Sequence, residues 1–244
     1  MLKKTLSLFT ITALCLNLTA ADKAKEAHKH GAHDHQHKPA TKGAEPGKWT
    51  QDYDAALKVA SEKKLPLMLN FTGSDWCGWC KLMDKNVFAD HKEWGAYAKD
   101  NLMLVTLDFP RDKTIVPEKW VARNNELKTQ FGVRGFPTYV VLESDGKTKL
   151  GQLGASREAT PKNFIEKTKA ALRFSKAAVA AFTKGMSKEK TQSYLDLLAA
   201  HTQAKKALGD WLETRPQRNE ENNVKFAKFR EDIASAMAKI ESFE

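Results

Sequence analysis

The four residues Cys77-Gly78-Trp79-Cys80 are the part of this chain whose types and spacing best suit covalent chemistry. Thiols at positions i and i+3 of a helix are surface neighbours, close enough to bond to each other. If a helix starts at the motif, its unpaired N–H groups and the positive end of its dipole favour thiolate over thiol at the first cysteine. Cys77 is therefore expected to have a lowered pKa, to be open to solvent and to attack disulfides. Cys80, one turn in, is expected to resolve the mixed disulfide. A Cys-x-x-Cys pair has two other readings, half of a zinc site and an inert pair in a core.

The compartment bears on that choice. The chain opens with Lys3 and Lys4, an apolar stretch from Leu6 to Leu18, and small residues up to Ala21. This is the pattern of a secretory leader, with cleavage expected near Ala21. Ser7, Thr10, Thr12 and Asn17 interrupt the stretch, which falls short of the roughly 20 apolar residues of a membrane span, so no span is expected after cleavage. Cys15 follows Leu14 rather than a small residue, which speaks against lipidation. Without residues 1–21, 38 of the 40 basic residues remain against 30 acidic ones, and two of the three cysteines. An exported protein meets an oxidising compartment, a periplasm or the outside of the cell, where its sole intramolecular bridge would be Cys77–Cys80. So small a loop adds little stability, and the pair reads as chemistry. Two cysteines exclude a four-cysteine zinc site. A mixed site would need His91, His201 or the histidines before residue 48, and His91 and His201 read as surface or helix-face residues. The lysines are interspersed with acids rather than gathered in a basic arm, so a solvated surface is expected and no nucleic-acid partner.

The elements that must position the pair follow from apolar periodicity. Residues 22–47 hold no large apolar side chain but include His28, His30, His33, His35 and His37; this composition predicts a disordered linker. Five imidazoles without fixed geometry could hold a divalent metal weakly. From Trp49 the pattern changes. Tyr53, Ala56, Leu57 and Ala60 recur at helical spacing, and Leu65–Phe71 reads as a buried strand ending at Gly73. A helix through Leu82 and Met83 toward Val87 follows, then a short helix over Asp90–Lys99 and a strand over Leu102–Phe109. Pro117 opens a helix with Trp120, Val121, Leu127 and Phe131 that Gly132 closes. A strand at Tyr139–Glu143, the turn Ser144-Asp145-Gly146 and a strand toward Leu153 make a hairpin. Thr160-Pro161 caps a helix carrying Phe164, Ile165 and Leu172. This order predicts an α/β three-layer sandwich over residues 48–174. Residues 175–244 contain no strand-like run and read as helices, one with Tyr194, Leu198, His201, Leu208 and Trp211 on a face, another with Phe226, Phe229, Ile233, Ile240 and Phe243. Such faces are expected to pack on the preceding domain or on a second copy.

Two motifs, Asp75-Trp76-Cys77-Gly78-Trp79-Cys80-Lys81 after a strand and Gly132-Val133-Arg134-Gly135-Phe136-Pro137-Thr138 before another, resemble the thioredoxin superfamily, over about Trp49 to Phe174. The resemblance is nearest to periplasmic thioredoxin-like domains. It implies a central mixed sheet, a cis Pro137 facing the cysteines, and a Phe136 backbone that pairs with a substrate strand. It also exposes a departure. Where thioredoxins carry a buried acid that takes the resolving thiol's proton, this chain has Asn70, if one extra loop residue is allowed, and an amide cannot accept that proton. Trp76, Gly78 and Trp79 border the thiols; the two indoles either form an apolar docking surface or pack on the neighbouring loop.

The expected activity is disulfide exchange on exported proteins, with reduction ahead of isomerisation or oxidation. A redox-active disulfide stands in place of an organic cofactor, and a partner supplies the electrons. A metal-binding or metal-delivery protein, using the histidine segment and the dithiol as soft ligands, is the alternative.

Overall fold

A computed structural model describes residues 38–243 apart from Asp90. The leader and His28, His30, His33, His35 and His37 lie outside the described residues. Residues 38–47, which composition assigns to the linker, make defined contacts. Ala40 bridges Thr50, the Gly43 amide donates to Asp52, and the Gly47 amide donates to the Leu102 carbonyl. The folded unit thus begins before the boundary that apolar patterning sets at residue 48.

Five strands form one sheet, β1 (Trp49–Thr50), β2 (Leu67–Thr72), β3 (Met103–Asp108), β4 (Thr138–Leu142) and β5 (Lys149–Gly154), in the order β1-β3-β2-β4-β5. β1 and β2 run parallel to β3, whereas β4 is antiparallel to β2 and β5 to β4. Every residue of β2 and β3 is buried, as continuous apolar runs covered on both faces require. Side chains alternate across the pleat. Leu67, Leu69 and Phe71 meet Ala56 and Ala60 of α1 (Tyr53–Lys63) and Leu127 of α4 (Glu118–Gln130). On the other face Met68 and Tyr139 meet Met83 of α2 (Gly78–Met83), Trp94 of α3 (Lys92–Asn101) and Phe164 of α5 (Pro161–Leu172). These are the three layers and the mixed sheet that the motifs imply.

Differences from the sequence reading are local. Two-residue β1 is too short to show alternation. The helix after the cysteines ends at Met83 and widens into a π-helical turn, Asp84–Phe88, that buries both Val87 and Phe88. Phe88 then stands edge-on to Trp49, Trp94, Tyr139 and Phe164. Pro117 is the N-cap of α4 rather than a residue of its first turn.

Helices α6 (Lys176–Phe182), α7 (Lys188–Glu213) and α8 (Glu220–Glu241) complete the described chain. Glu143, at the end of β4, accepts the Lys176 amide at 2.6 Å and ties α6 to the sheet. α7 and α8 form an antiparallel pair: Tyr194 meets Phe243 near one end and Trp211 meets Phe226 and Phe229 near the other. The near end packs on Phe174 and Val179, so the extension docks on its own chain. Among the described residues no helix is long and apolar enough to cross a membrane.

Candidate active site

Cys77 is the N-cap of α2, in extended conformation, and its sulfur accepts the Cys80 amide at 3.2 Å. The two sulfurs form a disulfide. In this state the cysteines are almost equally buried, 6% and 5% exposed. The expected solvent asymmetry is therefore absent, and the difference between them lies in helix position. One sulfur accepts an amide at the positive end of the dipole, and the other sits a turn inward.

The loop that delivers Cys77 is fastened to the end of β3 and to the segment after it. Ser74 donates its amide to Asp108 at 2.9 Å and its hydroxyl at 2.5 Å. Asp75 accepts the amides of Arg111 and Asp112, each at 2.9 Å, and the Trp76 indole donates to the Phe109 carbonyl at 2.9 Å. The Gly73 carbonyl accepts the Trp76 and Cys77 amides. At Gly73 a Cβ would lie 2.5 Å from the indole folded over it, so a larger residue would have to displace Trp76.

Charge follows this architecture. Burial pushes the Asp108 carboxyl up against the opposing bonds from Ser74. Asp75, despite some desolvation, is held below its ordinary value by the amides of Asp112 and Arg111.

Trp76 and Trp79 remain 40% and 44% exposed. Trp76 meets both earlier alternatives, since its indole is bonded and stands edge-on to Phe136 at 5.9 Å while much of its surface stays open. Phe136 stacks on Phe109 at 5.2 Å, and the Phe136–Pro137 peptide is cis. Gly78 has open space where a side chain would project. Beside this rim Phe109, Pro110, Val116 and Val121 line a cleft of about 160 Å³.

Asn70 lies buried in the middle of β2, opposite Thr106 and Tyr139, on the face that carries Met68. Among the described residues its side-chain oxygen has no hydrogen-bond partner. His91 stands at the N-cap position of α3 without a side-chain capping bond, and its ring bonds the Lys85 carbonyl at 2.9 Å. His201 is buried against Phe174. Among the described residues no group of three or more His, Cys, Asp or Glu is placed to hold a metal ion. Ser74, Asp108 and Arg111 are absent from the sequence-derived site. They join it across more than thirty residues of chain, a separation that motif spacing does not report.

Residues 53–169 match the sequence profile of the thioredoxin-like domain. Over these residues the chain is similar to the thioredoxin superfamily. Over 104 residues the chain is 38% identical to the disulfide bond reductase DsbH of Chlamydia pneumoniae, covering 43% of this chain and 61% of that protein. It is 28% identical over 108 residues to the thioredoxin-related protein DsbJ of the same organism, covering 43% of this chain and 30% of that one. The chain thus spans less than two thirds of each of these relatives. A solved structure described as a DsbH oxidoreductase aligns over 62% of this chain and 96% of its own, at 27% identity and a TM-score of 0.48.

Proposed function

We propose that this protein is an exported thiol–disulfide oxidoreductase that reduces disulfides in protein substrates. The observation that carries this reading is the cysteine pair at the start of α2, with Cys77 capping the helix through its sulfur. In the reduced protein the Cys77 thiolate attacks one sulfur of a substrate disulfide. The substrate S–S bond breaks, a mixed disulfide forms, and the departing sulfur takes a proton. The Cys80 thiolate then attacks the Cys77 sulfur, closing the Cys77–Cys80 bond and releasing the second substrate thiol. Two electrons pass to the substrate, and a separate redox partner must return them.

Two features support the residue roles. The α2 N-terminus stabilises negative charge on Cys77. The exposed faces of Trp76 and Trp79, with the Phe136 backbone next to Pro137, offer an apolar bed and an edge for an extended segment. Export rests on the leader pattern of residues 1–21.

The test is trapping in the full-length protein. Cys80→Ser should hold insulin chains as mixed disulfides through Cys77, visible by mass spectrometry, and Cys77→Ser should trap almost none. Insulin reduction by the double serine variant should fall to the rate of the added thiol alone. Trapping by Cys77→Ser instead would reverse the roles, and full activity in the double variant would remove the reading.

A further inference from the structure

The rim of the dithiol carries a charge pattern that the exchange reaction itself does not need. The Arg111 guanidinium lies over the Trp76 ring, 5.7 Å from its centroid, and the Arg157 guanidinium over the Trp79 ring at 5.6 Å. These cations come from different parts of the chain, the segment after β3 and the segment after β5. Each sits on one of the two exposed indoles of the motif, Trp76 directly before Cys77 and Trp79 directly before Cys80. Lys128 adds a third charge, 5.6 Å from the Phe109 ring and 5.8 Å from Phe136.

Neither arginine forms an ion pair with a described acid, although the charge of Arg111 reaches the Asp75 carboxylate. The acids of the rim are otherwise engaged. Asp75 accepts the Arg111 and Asp112 amides, and Asp112 accepts the amide and hydroxyl of Thr114. Glu158, beside Arg157 in sequence, is exposed and unpaired with it. An arginine stacked on an aromatic face is held in place while its fork of N–H donors still points outward, so less freedom is lost when a carboxylate pairs with it. A net charge of +10 over the whole sequence adds a field of the same sign.

We infer that the segments on which this dithiol acts carry carboxylates on both sides of the reacting cysteine, one meeting Arg111 beside Trp76 and the other Arg157 beside Trp79. This rests on the proposed function and narrows it. The indoles take the apolar part of the segment, and the guanidiniums select its charge and orient it across the sulfurs.

Single-turnover kinetics test the inference. The pre-reduced full-length protein is mixed with two peptides, each bearing one cysteine as a mixed disulfide with 2-mercaptoethanol and differing only in Glu or Lys on both sides of it. Rates are divided by those with dithiothreitol, which removes the intrinsic effect of the neighbours on sulfur reactivity. The glutamate peptide should react about tenfold faster at low salt, and the ratio should shrink at about 0.5 M salt. Arg111→Glu with Arg157→Glu should reverse the preference. Should that reversal disturb the loop, Arg111→Gln with Arg157→Gln should level it. Equal normalised rates for the two peptides, or a ratio unchanged in both double variants, would overturn the inference. A protein that reduces neither peptide would remove the proposed function itself, a result distinct from equal reactivity.

Discussion

At Asp108 a carboxyl group is buried within the site's support, and its cost is offset by two donors from a single residue, the amide and hydroxyl of Ser74. Burial dominates and raises its pKa above the ordinary value. A group whose folded pKa exceeds its unfolded one binds its proton more tightly in the native state. Its contribution to stability is therefore full at low pH and is lost as pH rises through the ordinary carboxylate range to the raised value. Asp108→Asn keeps an acceptor for Ser74 and removes the ionisation. Its stability relative to the unmodified protein should therefore increase between about pH 4 and pH 7, as read from urea midpoints of both proteins at each pH. A relative stability that falls over this range would contradict the direction of the shift. Cys77, Cys80 and Pro137 are legible in sequence because their motifs are contiguous. Asp108 and Ser74 are not, because their pairing exists only once β2 and β3 lie side by side.

Among the elements, those with a long apolar period were readable and those set by a few residues were not. α1 shows Tyr53, Ala56 and Ala60 on one buried face, and the hairpin turn shows Asp145, whose carboxylate accepts the Lys147 and Thr148 amides. β1 consists of two residues, and seven-residue α6 buries none of its side chains, so neither carries a pattern. The π-helical turn is hidden for another reason: Met83 and Val87 fit an ordinary helix, and only packing against Trp94 and Phe164 shows that Phe88 also turns inward. α5 is a case in which local chemistry and packing agree. Thr160 accepts the Asn163 amide at 3.2 Å while Asn163 accepts the Thr160 amide at 3.0 Å, a reciprocal cap. Because α5 brings Phe164 and Ile165 to the core face shared with α2, fraying there reaches the whole domain. Thr160→Ala should cost about 1 kcal/mol in urea unfolding, with most of the loss recovered by Thr160→Ser. No loss on alanine substitution would mean that packing alone holds the helix end.

For the molecule as a whole, one histidine sits in the contact through which the helical extension docks. His201 of α7 is buried, with its ring stacked on Phe174 at 4.9 Å and 18° between planes. Phe174 follows directly on α5, and Arg173 beside it pairs with Glu241 of α8, so this contact joins the thioredoxin-like domain to both long helices. Desolvation, and then the charge of Lys205 one turn along α7, lower the His201 pKa from 6.5. The cations Lys149 of β5 and Arg173 stand near the same junction, Arg173 with the Glu241 carboxylate as its partner. A depressed folded pKa means that the native state holds the neutral ring. The associated stability is full above the unfolded value of 6.5 and is lost as pH falls below it. Amide-exchange protection of α7, corrected for intrinsic rates and referred to β2 in the same protein, should therefore drop between about pH 7.5 and 5.5, straddling the ordinary histidine value. β2 should hold, since its support comes from the sheet and the two cores. His201→Gln, which cannot take a proton, should lower α7 protection at both pH values through lost stacking and remove its dependence on pH. Equal protection of α7 at the two pH values in the unmodified protein would show that His201 does not govern the docking, and a persistent pH dependence in His201→Gln would assign it to another group at the junction.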